Sequence, residues 1–169
     1  GIRKLIDRAV PEGTSVEKTD KVFATFREYY ATHSRVKTSM YEGMEQVMDA
    51  LKEQNISMAI VSNKADDAVK DLAKYYFAKY IDVAIGEREG ISRKPAPDSV
   101  YEAMRLLGAT KENTVYVGDS DVDRATAKNA GIPCISVTWG FRSEELLVSL
   151  EPEYLIHKPE EILSVVTGK

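Results

Sequence analysis

Apolar positions along this chain switch repeatedly between two periods. Short runs fit strands, and stretches recurring every three or four residues fit helices. Residues 2–9 read as a short helix. Thr14 and Glu17 have capping-box spacing, and after them Val22, Phe23, Phe26, Tyr29 and Tyr30 form one apolar helical face. The polar stretch 32–39 reads as a linker. Met44, Val47, Met48 and Leu51 mark the next helix. Strands are predicted at 57–61, 83–85, 114–117, 134–137 and 154–156, with helices between them. Pro97 suits the first turn of the helix carrying Val100, Met104 and Leu107, and Gly108 stops it. Pro159 opens a terminal helix. Strands alternating with helices of this length mean βαβ units, a mostly parallel sheet and right-handed crossovers.

At 169 residues the chain suits one domain, or a domain with a small subdomain. A net charge of −4 argues against a general nucleic-acid binder, which shows a basic face. No apolar run approaches membrane-spanning length and no signal peptide is visible. Cys134 is the single cysteine, so no intramolecular disulfide forms, which fits a cytoplasmic protein. It falls in a strand-like run and reads as a small core residue.

Candidate chemistry gathers after three strands. Ser62 follows the strand ending at Val61, and Lys94 precedes a helix after the strand ending at Ile85. Asp119 and Asp123 follow the strand ending at Val117. Open α/β sheets place ligands at the carboxyl ends of their strands. A hydroxyl, an ammonium and a carboxylate pair suit a phosphate with a divalent cation. The hydroxyl donates to a phosphate oxygen, the lysine offsets charge, and the carboxylates hold a hard, oxygen-liganded ion such as Mg²⁺. Taken singly, each has a plainer role. Ser62 reads as a helix cap, Lys94 as a solvated loop charge, and Asp119 or Ser120 as the cap of the following helix. The order of the three motifs favours the chemical role.

Ile60-Val61-Ser62-Asn63-Lys64, Lys94-Pro95-Ala96-Pro97-Asp98 and Val117-Gly118-Asp119-Ser120-Asp121-Val122-Asp123 resemble the haloacid dehalogenase superfamily of phosphatases, and within it the phosphoglycolate phosphatase group. Ala127-Lys128-Asn129-Ala130-Gly131-Ile132 and Val137-Thr138-Trp139-Gly140 are similar to that group too. The resemblance implies a three-layer, Rossmann-like α/β core and an Mg²⁺-dependent phosphatase acting on a small phosphorylated metabolite. Phosphoglycolate is the first candidate, ahead of other small phosphomonoesters, a nucleotide or pyrophosphate. It implies Ser62 and the Asn63 backbone amide as phosphate binders, Lys94 as the charge-stabilising lysine, and Asp119 and Asp123 as the metal carboxylates.

One motif of that family has no counterpart here. Its nucleophile lies in an Asp-x-Asp-Gly-Thr sequence on the first strand, and no such sequence occurs in these residues. Residues 1–38 accordingly resemble part of a helical cap, and residues 39–169 a core lacking its first, central strand. The expected sheet order is the strand at Val83, that at Met58, the absent strand, that at Val115, then that at Cys134. The strands at Met58 and Val115 are expected to stand apart, and the chain alone to lack phosphatase activity. Two other readings are a catalytically dead homologue that binds a phosphorylated ligand or a protein, and a phosphoacceptor receiver domain. A receiver carries its acidic pair first and its lysine last, the reverse of the order here.

Overall fold

A computed structural model describes residues 2–168, which divide into two compact units between Ser39 and Met40. The first unit pairs α1 (Ile2–Ala9) with α2 (Val16–His33). Ser15, not Thr14, caps α2: its hydroxyl accepts from Lys18 N–H at 3.4 Å, while Thr14 Oγ1 donates to the Pro11 carbonyl. Ile6 and Thr19 are buried, and Arg3 bridges Asp7 and Asp20. The aromatic stripe of α2 is only partly covered within this unit. Phe26 stacks on Tyr30 and Tyr29 on His33, yet Tyr29 stays 62% exposed.

The second unit begins with α3 (Met44–Glu53), β1 (Met58–Ala65), α4 (Asp66–Tyr76) and β2 (Ile81–Glu87). It continues through α5 (Asp98–Leu107), β3 (Tyr116–Gly118), α6 (Asp121–Ala130) and β4 (Cys134–Val137). The chain then forms α7 (Glu144–Ser149), β5 (Tyr154–Ile156) and α8 (Glu161–Thr167). All strand pairs are parallel, as the alternation predicts. Two clusters cover β4 on opposite faces. On one face Val100 and Met104 of α5 and Ala127 and Ala130 of α6 pack with Tyr116 and Cys134. On the other, Val47 and Leu51 of α3 and Ile162 of α8 pack with Ile135, Val137 and Ile156. Successive β4 residues thus serve alternate helical layers, and every one of them is buried.

The strands form two sheets rather than one. β2 pairs with β1, and β3-β4-β5 form the other sheet; among the described residues β1 and β3 do not pair. A cavity of about 630 Å³ runs between them, lined by Met58 to Val61 of β1, by 113–117 leading into β3, and by α5 residues Val100, Ala103 and Met104. The edges that flank this slot are wetter than β4. Ala59 is exposed and Val117 is 44% exposed. β1 and β3 thus stand apart, with β2-β1 and β3-β4 in the predicted order on either side of the slot. No helix of the described residues is long and apolar enough to cross a membrane.

Candidate functional site

The predicted site residues lie at the carboxyl ends of β1 and β3 and in the loop before α5, and direct contacts connect most of them. β1 keeps register with β2 up to Val61–Ile85 and regains it at Ala65–Glu87. Four β1 steps therefore face two on β2, and residues 62–64 bulge out of the ladder. The bulge makes β1 longer than the predicted 57–61 and puts Ser62 inside the strand, so Ser62 does not cap α4. Its Oγ accepts from Lys64 N–H at 3.2 Å.

Asn63 fixes the lysine loop. Its side-chain amide donates to the Lys94 carbonyl at 3.0 Å, and its Oδ1 accepts from Lys94 N–H at 2.8 Å. The two bonds clamp the Lys94 backbone, whose bond to Pro95 is cis. The Lys94 ammonium donates to Asp123 Oδ1 at 2.7 Å and to the Tyr116 hydroxyl at 2.8 Å. Tyr116 in turn donates to Asp123 Oδ1 at 3.0 Å. Lys94 is no solvated loop charge: its side chain is only 12% exposed.

Asp123 is saturated. Besides Lys94 and Tyr116 at Oδ1, its Oδ2 accepts from Ser120 Oγ at 2.5 Å and from Asp119 N–H at 3.3 Å. Burial pushes its carboxyl upward, but the adjacent Lys94 charge and the hydrogen bonds from Lys94, Ser120 and Tyr116 outweigh that. The result lies below the usual 3.8. Burial first, then the Asp123 charge, drives the Tyr116 phenol far above its ordinary range, so it stays protonated as a donor. Ser120 is the α6 cap, accepting from Asp123 N–H, so that part of the plainer reading is also correct. Gly118 permits this turn: a Cβ there would stand 2.3 Å from Asp123 Cβ.

Asp119 is more open. Its Oδ2 accepts from Phe141 N–H at 2.8 Å, and Arg142 Nε donates to Asp121 Oδ1 at 2.8 Å beside it. Among the described residues no group of three or more His, Cys, Asp or Glu side chains converges to hold a metal. The donors are oxygens, with Asp119 accessible and Asp123 already engaged. That set fits an ion such as Mg²⁺, which takes one or two carboxylates plus waters and a phosphate, and it does not fit a closed four-ligand zinc site. The slot between β1 and β3 leads to this end of the fold: its lining reaches Val61 and Val117, just before Ser62 and Asp119.

Sequence reading missed Tyr116, which the apolar strand pattern absorbed, and it gave the loop 139–142 no role. Tyr116 has a local signal in hindsight: it lies two residues before Gly118, so it shares a strand side with the residue against which Asp123 packs.

Residues 4–137 match the family model described as haloacid dehalogenase-like hydrolase. Pyrophosphatase PpaX of Halalkalibacterium halodurans is 30% identical over 90% of this chain and 72% of its own length. The phosphoglycolate phosphatase of Aquifex aeolicus is 26% identical over 98% of this chain and 75% of its own. A crystal structure from Lactobacillus delbrueckii subsp. bulgaricus, provisionally named a phosphoglycolate phosphatase, superposes with a TM-score of 0.88 at 35% identity. It covers 95% of this chain, which spans 67% of it.

Proposed function

This chain belongs to the haloacid dehalogenase-like hydrolase family, and from that premise we propose that it forms the core of an Mg²⁺-dependent phosphatase for a small phosphomonoester, phosphoglycolate first. The observation that carries the proposal is the run of contacts from Asn63 through Lys94 and Asp123 to Asp119 at one end of both sheets. In this reading the Ser62 hydroxyl and the Asn63 backbone N–H bind phosphate oxygens. Lys94 offsets their charge while Asp123 and Tyr116 aim it. Asp119 is the direct carboxylate for Mg²⁺, and Asp123 acts on the ion through water. Mg²⁺, when bound, supplies positive charge that orients the phosphoryl group.

The nucleophile in this reading is an aspartate on an extended segment that fills the slot between β1 and β3. Its carboxylate oxygen attacks phosphorus as the bond to the leaving oxygen breaks, and the second aspartate of the Asp-x-Asp-Gly-Thr motif gives that oxygen its proton. The same aspartate then takes a proton from the water that cleaves the acyl phosphate, which releases phosphate and restores the carboxylate. Such a segment would pair with both open edges and deliver its end beside Ser62 and Asp119. Residues 1–38 in this reading are part of a helical cap subdomain, and the enzyme is cytoplasmic; the Cys134 thiol of this chain is free and buried.

A second substrate class has specific support, because relatives such as the Halalkalibacterium protein are named pyrophosphatases. Pyrophosphate offers the same phosphoryl oxygens with a better leaving group. The test is turnover with Mg²⁺ of phosphoglycolate, pyrophosphate and p-nitrophenyl phosphate, by this chain alone and by the chain joined to a strand carrying Asp-x-Asp-Gly-Thr. We expect no turnover alone and turnover when joined. Turnover by a preparation of confirmed mass 18.8 kDa would refute the nucleophile assignment. No turnover by the joined form, with phosphate still bound, would favour a binding module instead.

A further inference from the structure

The loop 139–142 closes on Asp119 more tightly than a surface turn needs to. A Cβ built on Gly140 would stand 2.1 Å from Asp119 Cβ and 2.3 Å from its Oδ2. No side chain fits there without displacing the carboxylate. Gly140 does not have positive φ, so the demand is for space and not for backbone freedom. The next residue supplies the bond: Phe141 N–H donates to Asp119 Oδ2 at 2.8 Å. The Phe141 ring contributes little packing, being 89% exposed. Arg142 ties the same loop to the first turn of α6 through Asp121.

We propose that Gly140 and the backbone amide of Phe141 are positioning elements for Asp119, which hold Oδ2 from the loop side and turn Oδ1 toward the cation. Gly140 is thereby part of the site through close approach, with no side chain of its own involved. This inference rests on Asp119 being the cation carboxylate, so its test must separate the two claims.

The experiment is Mn²⁺ binding followed by water-proton relaxation, with Mg²⁺ as competitor, on the wild-type chain and on Asp119→Asn, Gly140→Ala and Phe141→Ala. This readout registers weak ion binding and needs no turnover. Asp119→Asn is expected to weaken binding at least tenfold. Gly140→Ala is expected to weaken it roughly tenfold, the scale of one charge-assisted hydrogen bond. Phe141→Ala keeps the N–H and is expected to stay within about twofold of wild type. Should Gly140→Ala not fold, Phe141→Pro, which deletes the N–H without adding bulk at 140, is expected to show the same loss. An effect of Asp119→Asn with none from Gly140→Ala or Phe141→Pro overturns the positioning claim alone. Equal losses in Phe141→Ala and Gly140→Ala also overturn it, because the ring would then matter as much as the amide. No Mn²⁺ binding by wild type, or none lost in Asp119→Asn, overturns the assignment of Asp119 and this inference with it.

Discussion

Lys94→Met keeps the length of the side chain and removes its charge. Asp123 then remains at 8% exposure without its cation. Breaking a buried pair by deleting one partner costs about 3–5 kcal/mol. Hydrogen bonds from Tyr116, Ser120 and Asp119 N–H stay on the carboxylate, which argues for the lower end, about 3 kcal/mol at neutral pH. Asp123→Asn strands the lysine instead. Its long stem can carry the ammonium toward water, so the expected loss is smaller, about 1–2 kcal/mol. The double variant should fall short of the sum of the two by about 1–3 kcal/mol. Urea unfolding followed by the fluorescence of the single tryptophan, Trp139, measures all four proteins. The pH dependence gives a further check. In wild type the folded-state value of Asp123 lies below 3.8, so its contribution is full above that value and is lost as pH falls through the lowered one. In Lys94→Met burial is no longer opposed by the ammonium, so Asp123 takes up a proton at higher pH. The gap between the two proteins should therefore narrow between neutral pH and about pH 4.5. A loss under about 1 kcal/mol at neutral pH, the range of surface pairs, would refute the reasoning. So would a gap that does not change with pH.

Tyr116→Phe removes a hydroxyl bonded to both Lys94 and Asp123 and keeps the ring in its cluster. We expect a stability loss of about 1–2 kcal/mol by the same unfolding assay, and no loss would mean that water replaces the hydroxyl without cost. Cys134 is fully buried, and its thiol is pushed up to about 11, chiefly by burial. Its labelling by a disulfide reagent should therefore proceed at the rate of unfolding; rapid labelling of the native protein would contradict its packing between β3 and α6.

The alternation of strands and helices, the parallel pairing and the positions of Ser62, Lys94, Asp119 and Asp123 were legible in the sequence, because periodicity and strand-end motifs are local signals. Boundaries were less so. β1 runs on to Ala65 because a bulge lets the strand resume after Ser62-Asn63-Lys64, and a bulge depends on the neighbouring strand. Ser15 replaces Thr14 as the α2 cap because Thr14 turns back to Pro11, a choice between adjacent hydroxyls that spacing alone does not make. The grip of Asn63 on Lys94 spans 31 residues of sequence, and Gly140 matters only through what it approaches. Both are long-range facts that a pattern along one chain does not carry.

The slot between β1 and β3 has a thermodynamic consequence. At the strand ends, where backbone pairing between the two sheets is absent, Asn63, Lys94 and Asp123 form a side-chain bridge from one to the other. A ligand held jointly by Ser62 and Asp119 would draw the sheets toward one separation, and a strand seated in the slot would favour that same separation. Two occupants that prefer the same arrangement of the protein bind with positive reciprocal linkage. Whatever factor the strand adds to affinity for the ligand, the ligand must add to affinity for the strand. Phosphate should accordingly raise the affinity of this chain for a strand-forming peptide, and Asp123→Asn, by loosening the bridge, should reduce that mutual gain.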